Sequence, residues 1–213
     1  YWAWFAKVTY IYLILMVIGG MILHNLLDFI RKTKLRLRKQ KGEARVVRMN
    51  GTERLMHLVT LVSFLTLSYT GLAILFPAAW WVEPLNWISH LEDFRRFLHR
   101  IAAVALTLAT LWHVQFLFFT ARGREQRRAF LPGLRDLRDL WHNVMFYLGV
   151  RKERPVFGRF TYMEKAEYLA LVWGTGVMIV TGFIMWGEQI ALQFMPRWLW
   201  EVCAVVHRYE AIL

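Results

Sequence analysis

His99 and His113 stand fourteen residues apart in the apolar stretch FLHRIAAVALTLATLWHVQFLFFT, residues 97–120. At about 100° per residue that spacing is nearly four whole turns, so both imidazoles leave one face of a helix. At about 1.5 Å per residue they lie about 21 Å apart along the axis, one toward each surface of a bilayer. A polar side chain at membrane depth is costly and marks either function or a satisfied buried contact. Two on one face suggest a column of cofactors through the membrane.

The elements that must position them follow from composition. The chain has 213 residues, of which 57% are hydrophobic, and the apolar residues come in blocks long enough to span a bilayer. Tryptophan, with 11 residues, gathers beside the block ends as an interfacial belt does. The formal net charge of +12 sits in the gaps between blocks, which is the pattern of a membrane protein and not of a nucleic-acid binder. The single cysteine, Cys203, excludes an internal disulfide, and the lack of CxxCH excludes covalent haem attachment within these residues. The first ten residues lack a basic n-region and do not read as a signal peptide. Both ends read as cut from a longer chain.

The expected fold is all-α and polytopic. Residues 1–30 hold an N-terminal span (Trp4 to Phe29), 31–54 form a basic linker, and 55–213 form a helical bundle. Spans are expected at Leu55 to Phe76, Phe97 to Thr120 and Tyr162 to Trp186, with a further one beginning near Trp198. The basic linker and the basic loop 121–159 belong in the cytoplasm by the positive-inside rule, which puts the N-terminus outside. Within that loop, apolar residues at helical spacing from Leu134 to Leu148 predict an amphipathic helix on the inner membrane surface. Gly174, Gly176 and Gly182 thin the fourth span for close approach of a helix or a flat macrocycle.

This topology sorts the histidines by depth. His99 and His207 fall near the outer surface, and His57 and His113 toward the inner one. Haem iron takes two axial ligands and neutral imidazole suits it, so one outer bis-histidine haem between His99 and His207 is the simplest assignment. The inner site takes His57 and His113, or one of them with a histidine beyond Leu213. Arg54, Arg96, Arg100 and Arg208 stand at depths where they pair with haem propionates or anchor helix ends. His24 reads as an interfacial residue or a cofactor neighbour, His90 as a solvated one and His142 as a surface one. Zinc would want its ligands at one depth. No Ser-His-Asp set, P-loop or Gly-rich dinucleotide motif is present. Interhelical hydrogen bonding is the structural alternative for each histidine, and it leaves two rival functions: a non-redox membrane anchor docking a catalytic subunit, and a proton-coupled transporter.

NGTERLMHLVTLVSFLTLSYTGLAILFP, FRRFLHRIAAVALT, FLPGLRDLRDLWHNVMFYLG, YMEKAEYLALVWGTGVMIVTG and HRYEAIL together resemble the cytochrome b (gamma) subunit of formate dehydrogenases. They are also similar to the dihaem cytochromes b of hydrogenases and thiosulfate reductases. The likeness covers about Arg48 to Leu213, all of a four-helix core but its last helix. It implies two haem b groups and electron exchange between a quinone pool and a periplasmic redox partner, in a bacterial or archaeal inner membrane. It implies haem ligation by His57, His99 and His207, a fourth ligand past Leu213, and a lesser role for His113. The family's Asn-containing quinone segment is replaced here by Tyr162-Met163-Glu164-Lys165, and Glu164, Glu167 and Tyr168 are the substitute proton carriers. The extra first helix resembles fusions to a periplasmic multihaem cytochrome c domain; otherwise the partner is a separate multihaem cytochrome c or an iron–sulfur/molybdopterin subunit. Membrane lipid is the surrounding phase, and no nucleic acid is implied.

Overall fold

In hydrocarbon a backbone amide finds no water, so an apolar run must satisfy its N–H and C=O groups within itself, as a helix does. The computed structural model, which describes residues 1–36, 49–83, 87, 92–153 and 155–213, follows that rule. Its described helices are α1 (Trp2–Arg36), α2 (Gly51–Leu75), α3 (Glu92–Phe119), α4 (Ala121–Phe130), α5 (Leu134–Tyr147), α6 (Tyr162–Trp186), α7 (Glu188–Phe194) and α8 (Arg197–Glu210). Four stretches are long and apolar enough to cross a membrane: Trp2–Ile30, Gly51–Leu75, Phe94–Phe119 and Tyr162–Trp186. The chain is an all-α membrane protein, as the sequence predicts, and its span limits shift by only a few residues. Residues 37–48, with much of the basic linker, and His90 lie outside the described residues.

Burial is inverted relative to a water-soluble fold. Glu53, Ser63, Thr70, Arg95, Asn143 and Thr181 are buried, while Leu61, Leu65, Leu108 and Trp173 are exposed. Apolar side chains on the outer surface lose nothing in lipid, whereas a polar group there finds no partner. The amphipathic helix α5 shows the same sense. Leu134, Leu137 and Trp141 are exposed and Asn143 and Phe146 face inward, so these apolar side chains are turned away from the protein.

The helices form two compact units, Arg45–Arg124 and Tyr1–Ala44 with Glu125–Leu213. In the first, α2 packs along α3. The start of α2 is fixed by a reciprocal capping box: Asn50 Oδ1 accepts from Glu53 N–H at 2.8 Å and Glu53 Oε2 from Asn50 N–H at 2.6 Å. Glu53 also receives Arg122 through two bonds, Nε to Oε1 at 2.6 Å and Nη2 to Oε2 at 2.9 Å. That fork joins the start of α2 to Arg122 at the start of α4. At the opposite end the turn Trp80–Val82 folds back, Tyr69 donates to the Trp81 carbonyl at 3.1 Å, and Arg95 donates to the Ala73 carbonyl at 3.2 Å. The Ala73 carbonyl lies in the last turn of α2, which has no intrahelical donor for it.

In the second unit α8 packs against both α1 and α6, and α5 touches both α1 and α6. Tyr10 of α1 hydrogen-bonds Glu210 of α8. Thr161 and Glu164 form the capping box of α6. Asp136 receives the Gly133 N–H at 2.7 Å and Lys165 Nζ at 2.9 Å. Burial works against the Asp136 carboxylate, but the Lys165 and Gly133 hydrogen bonds outweigh it and hold the carboxyl below its ordinary range. Phe130 stacks on Phe160 at 4.0 Å and on Tyr168 at 4.2 Å between centroids.

Two helices were not foreseen. The basic loop continues as α4, because Thr120 Oγ1 accepts from Gly123 N–H at 2.9 Å and starts a new helix. The loop before Pro196 holds α7. Within 78–96 the described structure is the turn Trp80–Val82 and then the start of α3 at Glu92.

Glu53 combines a cap with a forked ion pair, so Glu53→Ala should be costly. Arg122 keeps 37% of its side chain exposed, which puts the loss near 2 kcal/mol, below the ~3–5 kcal/mol of a fully buried pair. A thermal melt of the purified protein should show this loss, and a smaller one for Arg122→Lys, which keeps the charge without the fork.

Candidate functional site

Each compact unit contains the same small device, made of a Thr-Gly pair on one helix and a histidine on its neighbour. In the first unit Thr70 and Gly71 of α2 face His99 of α3. In the second, Thr181 and Gly182 of α6 face His207 of α8. Thr70 Oγ1 lies 2.9 Å from His99 Nδ1, and Thr181 Oγ1 lies 2.9 Å from His207 Nδ1. Both threonines are buried.

The direction of each bond follows from counting protons. A hydroxyl has one proton and two lone pairs. Thr70 donates to the Thr66 carbonyl at 2.6 Å and Thr181 to the Val177 carbonyl at 2.6 Å, one helical turn back in each case. With its proton committed to the backbone, each oxygen accepts from the imidazole, so the ring proton sits on Nδ1. The unprotonated nitrogen is then Nε2, and a metal bound by either ring must use that atom.

The glycines make the approach possible. A Cβ placed on Gly71 would stand 3.3 Å from His99 Cε1, and one on Gly182 would stand 3.2 Å from His207 Cε1. Each ring therefore lies against bare backbone. Of the three glycines expected to thin α6, Gly182 meets His207 and Gly174 meets Glu210, but Gly176 has nothing within 4 Å.

The other predicted residues fall as follows. His57 lies exposed near the start of α2. His113 is half-buried on α3 and stacks on Phe116 at 6.5 Å between centroids. Arg54 and Arg100 are exposed, and Arg208 Nε donates to the Ala204 carbonyl of its own helix at 3.2 Å. Glu164 serves the cap of α6, Glu167 is exposed, and Tyr168 stacks on Phe130. His142 is half-buried on α5. Among the described residues no group of three or more His, Cys, Asp or Glu side chains is placed to hold a metal ion.

Sequence reasoning missed Thr70, Gly71 and Thr181. The signal was present: Thr-Gly stands near the end of two spans, at 70–71 and at 181–182 (and again at 175–176), and each of those spans precedes a helix that carries His-Arg, at 99–100 and at 207–208.

A set of apolar helices in which His99 and His207 are each held at Nδ1 by a threonine has the ligand chemistry of a membrane b-type cytochrome. A family model described as prokaryotic cytochrome b561 matches residues 48–213, and the chain belongs to that family. Its members bind haem b, and the protein is a membrane cytochrome of electron transfer. No curated protein matches the chain.

The glycine contacts give a paired test. Gly182→Val pushes a branched side chain into the His207 ring and should lower stability by about 1–3 kcal/mol, the usual range for overpacking. Gly176→Val, on the same helix and in open space, should stay within about 0.5 kcal/mol, as substitutions away from packed features do. Thermal melts of the two variants in the same detergent measure the difference.

Proposed function

We propose that this cytochrome relays electrons between a quinone/quinol site near the cytoplasmic face and a periplasmic redox partner, with two haem b groups held by its histidines. The observation that carries the reading is the repeated Thr–His device. A histidine with Nδ1 held by a threonine oxygen presents Nε2 as a neutral nitrogen ligand, which is what an axial haem position requires. On this reading His99 and His207 would hold haem, and the expectation from sequence is that they hold the same one. His57 is the inner ligand and His113 the further inner candidate. Haem b, when bound, takes up and releases one electron at a time.

The orphaned polar atoms fit the same cofactor. Trp200 Nε1 is buried without a hydrogen-bond partner, and seven residues, about two turns, bring it to the face of α8 that carries His207. An indole N–H is a donor only, and a propionate carboxylate is the acceptor it suits. Arg54, Arg100 and Arg208 are proposed for the same role by charge. Quinone chemistry exchanges protons as well as electrons, and Glu164, Glu167 and Tyr168 are the proposed carriers. The likeness to formate dehydrogenase gamma subunits supports an inner-membrane location with the N-terminus outside. It also supports a periplasmic partner of the multihaem cytochrome c or iron–sulfur/molybdopterin kind.

Redox titration of the purified protein tests the ligands. His99→Ala and His207→Ala should remove the same component of the reduced-minus-oxidised spectrum; separate components would end the shared-iron expectation. Thr70→Val and Thr181→Val keep the shape but remove the acceptor, so each imidazole becomes less basic and donates less to the iron. The midpoint potential should rise, by roughly tens of millivolts if the bond contributes about 1 kcal/mol. Thr→Ser should restore it. Absence of any b-type α-band would return the chain to the membrane-anchor reading.

A further inference from the structure

Beside α1, α5 and α6 a second polar cluster joins five residues of one compact unit. Tyr147 donates to Asp28 Oδ1 at 2.6 Å. Asn143 Nδ2 donates to Tyr147 at 3.0 Å and to Tyr162 at 2.8 Å. Tyr162 lies 3.0 Å from His24 Nε2. The carboxamide can face only this way, because the Tyr147 proton is already committed to Asp28 and its oxygen must accept. Burial, and then the Asp28 hydrogen bond, hold the Tyr147 hydroxyl protonated well above its usual range.

Two atoms of this cluster are left over. Asn143 is 1% exposed, and its Oδ1 is buried with no partner. His24 Nδ1 is likewise buried with none. In the tautomer where Tyr162 gives its proton to His24 Nε2, the neutral ring carries its own proton on Nδ1. The cluster therefore presents one unused acceptor and one unused donor, in a place where an unmet polar group costs about 1–3 kcal/mol. The rings of Tyr147 and Tyr162 stand edge-on to His24, at 5.5 and 6.3 Å between centroids. The residues flanking His24 on α1, Leu23, Leu26 and Leu27, are exposed and apolar, so the helix presents a lipid-compatible surface beside it.

We propose that His24 and Asn143 bind the hydroxyl of a lipid-soluble hydroquinone, which donates to Asn143 Oδ1 and accepts from His24 Nδ1–H. This rests on the quinone reading above and moves its headgroup site onto α1, which precedes the family match at residue 48. Only the reduced ligand satisfies both atoms: a quinone carbonyl accepts from His24 and has no proton for Asn143. The site accordingly prefers quinol to quinone.

The test uses the purified holoprotein in lipid nanodiscs, titrated with a short-tailed ubiquinol or menaquinol and with the matching quinones. The wild type should bind quinol more tightly than quinone. Asn143→Leu should weaken quinol at least tenfold and quinone by little, whereas His24→Phe should weaken both. If Asn143→Leu fails to assemble, judged by its b-type spectrum, the His24→Phe result decides by itself. Wild-type affinities retained in the assembled variants would overturn the proposal while leaving the quinone reading standing. No binding of quinol or quinone to the wild type would overturn both.

Discussion

A threonine hydroxyl inside a membrane helix has one proton, and the carbonyl one turn back is its nearest acceptor. That constraint organises the candidate site. Thr70 and Thr181 each give their proton to such a carbonyl at 2.6 Å, and so each can only accept from the histidine opposite. The backbone of one helix thereby sets the tautomer of a ring on the next. No water is needed to fix it, which matters at a depth where water is scarce. The neighbouring glycine is part of the same logic, since a side chain there would hold the ring away from the hydroxyl.

The same economy governs the rest of the polar interior. Glu53 meets its own cap and Arg122, and Arg95 meets the Ala73 carbonyl. These groups lie inside while leucines such as Leu61, Leu65 and Leu108 lie outside. Between apolar helices in lipid there is no hydrophobic drive to associate, so register has to come from close packing and hydrogen bonds. The first span illustrates this. None of its most apolar window is buried, yet His24 and Asp28 near its end are tied to α6 and α5. An amphipathic pattern would not reveal that attachment, because the helix has almost no apolar face turned to protein.

What the sequence made legible was whatever depends on neighbours in the chain. The four spans and the helix from Leu134 follow from local composition and helical periodicity, and the structure agrees with them. Pairings across the chain were not legible. Thr70 meets His99 at a separation of 29 residues, Arg122 meets Glu53 at 69, and Tyr147 meets Asp28 at 119. Such contacts are set by which helix faces which, and one sequence does not contain that. His24 is instructive here. As an interfacial histidine it reads as a polar tip reaching for solvent, but its Nε2 is turned inward to Tyr162. Thr70 and Thr181 were overlooked for a different reason. A lone threonine in an apolar span is ordinary; the coupling of a Thr-Gly near a span's end to a later His-Arg occurs twice, and Thr175-Gly176, nearer mid-span, shows that the dipeptide alone does not mark the device.

That coupling also separates two kinds of chemistry within the chain. The Thr-Gly and His-Arg elements occur in both compact units with the same 2.9 Å contact, so the same demand, a neutral imidazole held by its Nδ1, is met twice by the same means. The cluster at His24, Asn143, Tyr147, Tyr162 and Asp28 occurs once and has a different character: hydroxyls and amides that end in a carboxylate, with a donor and an acceptor unused. Electron transfer asks a ligand to keep its proton still, and the Thr–His pairs do that. A group that exchanges hydroxyl protons needs partners that can give and take, and the cluster has both. The repeated element therefore suits the electron path and the single one suits the place where protons leave or enter it.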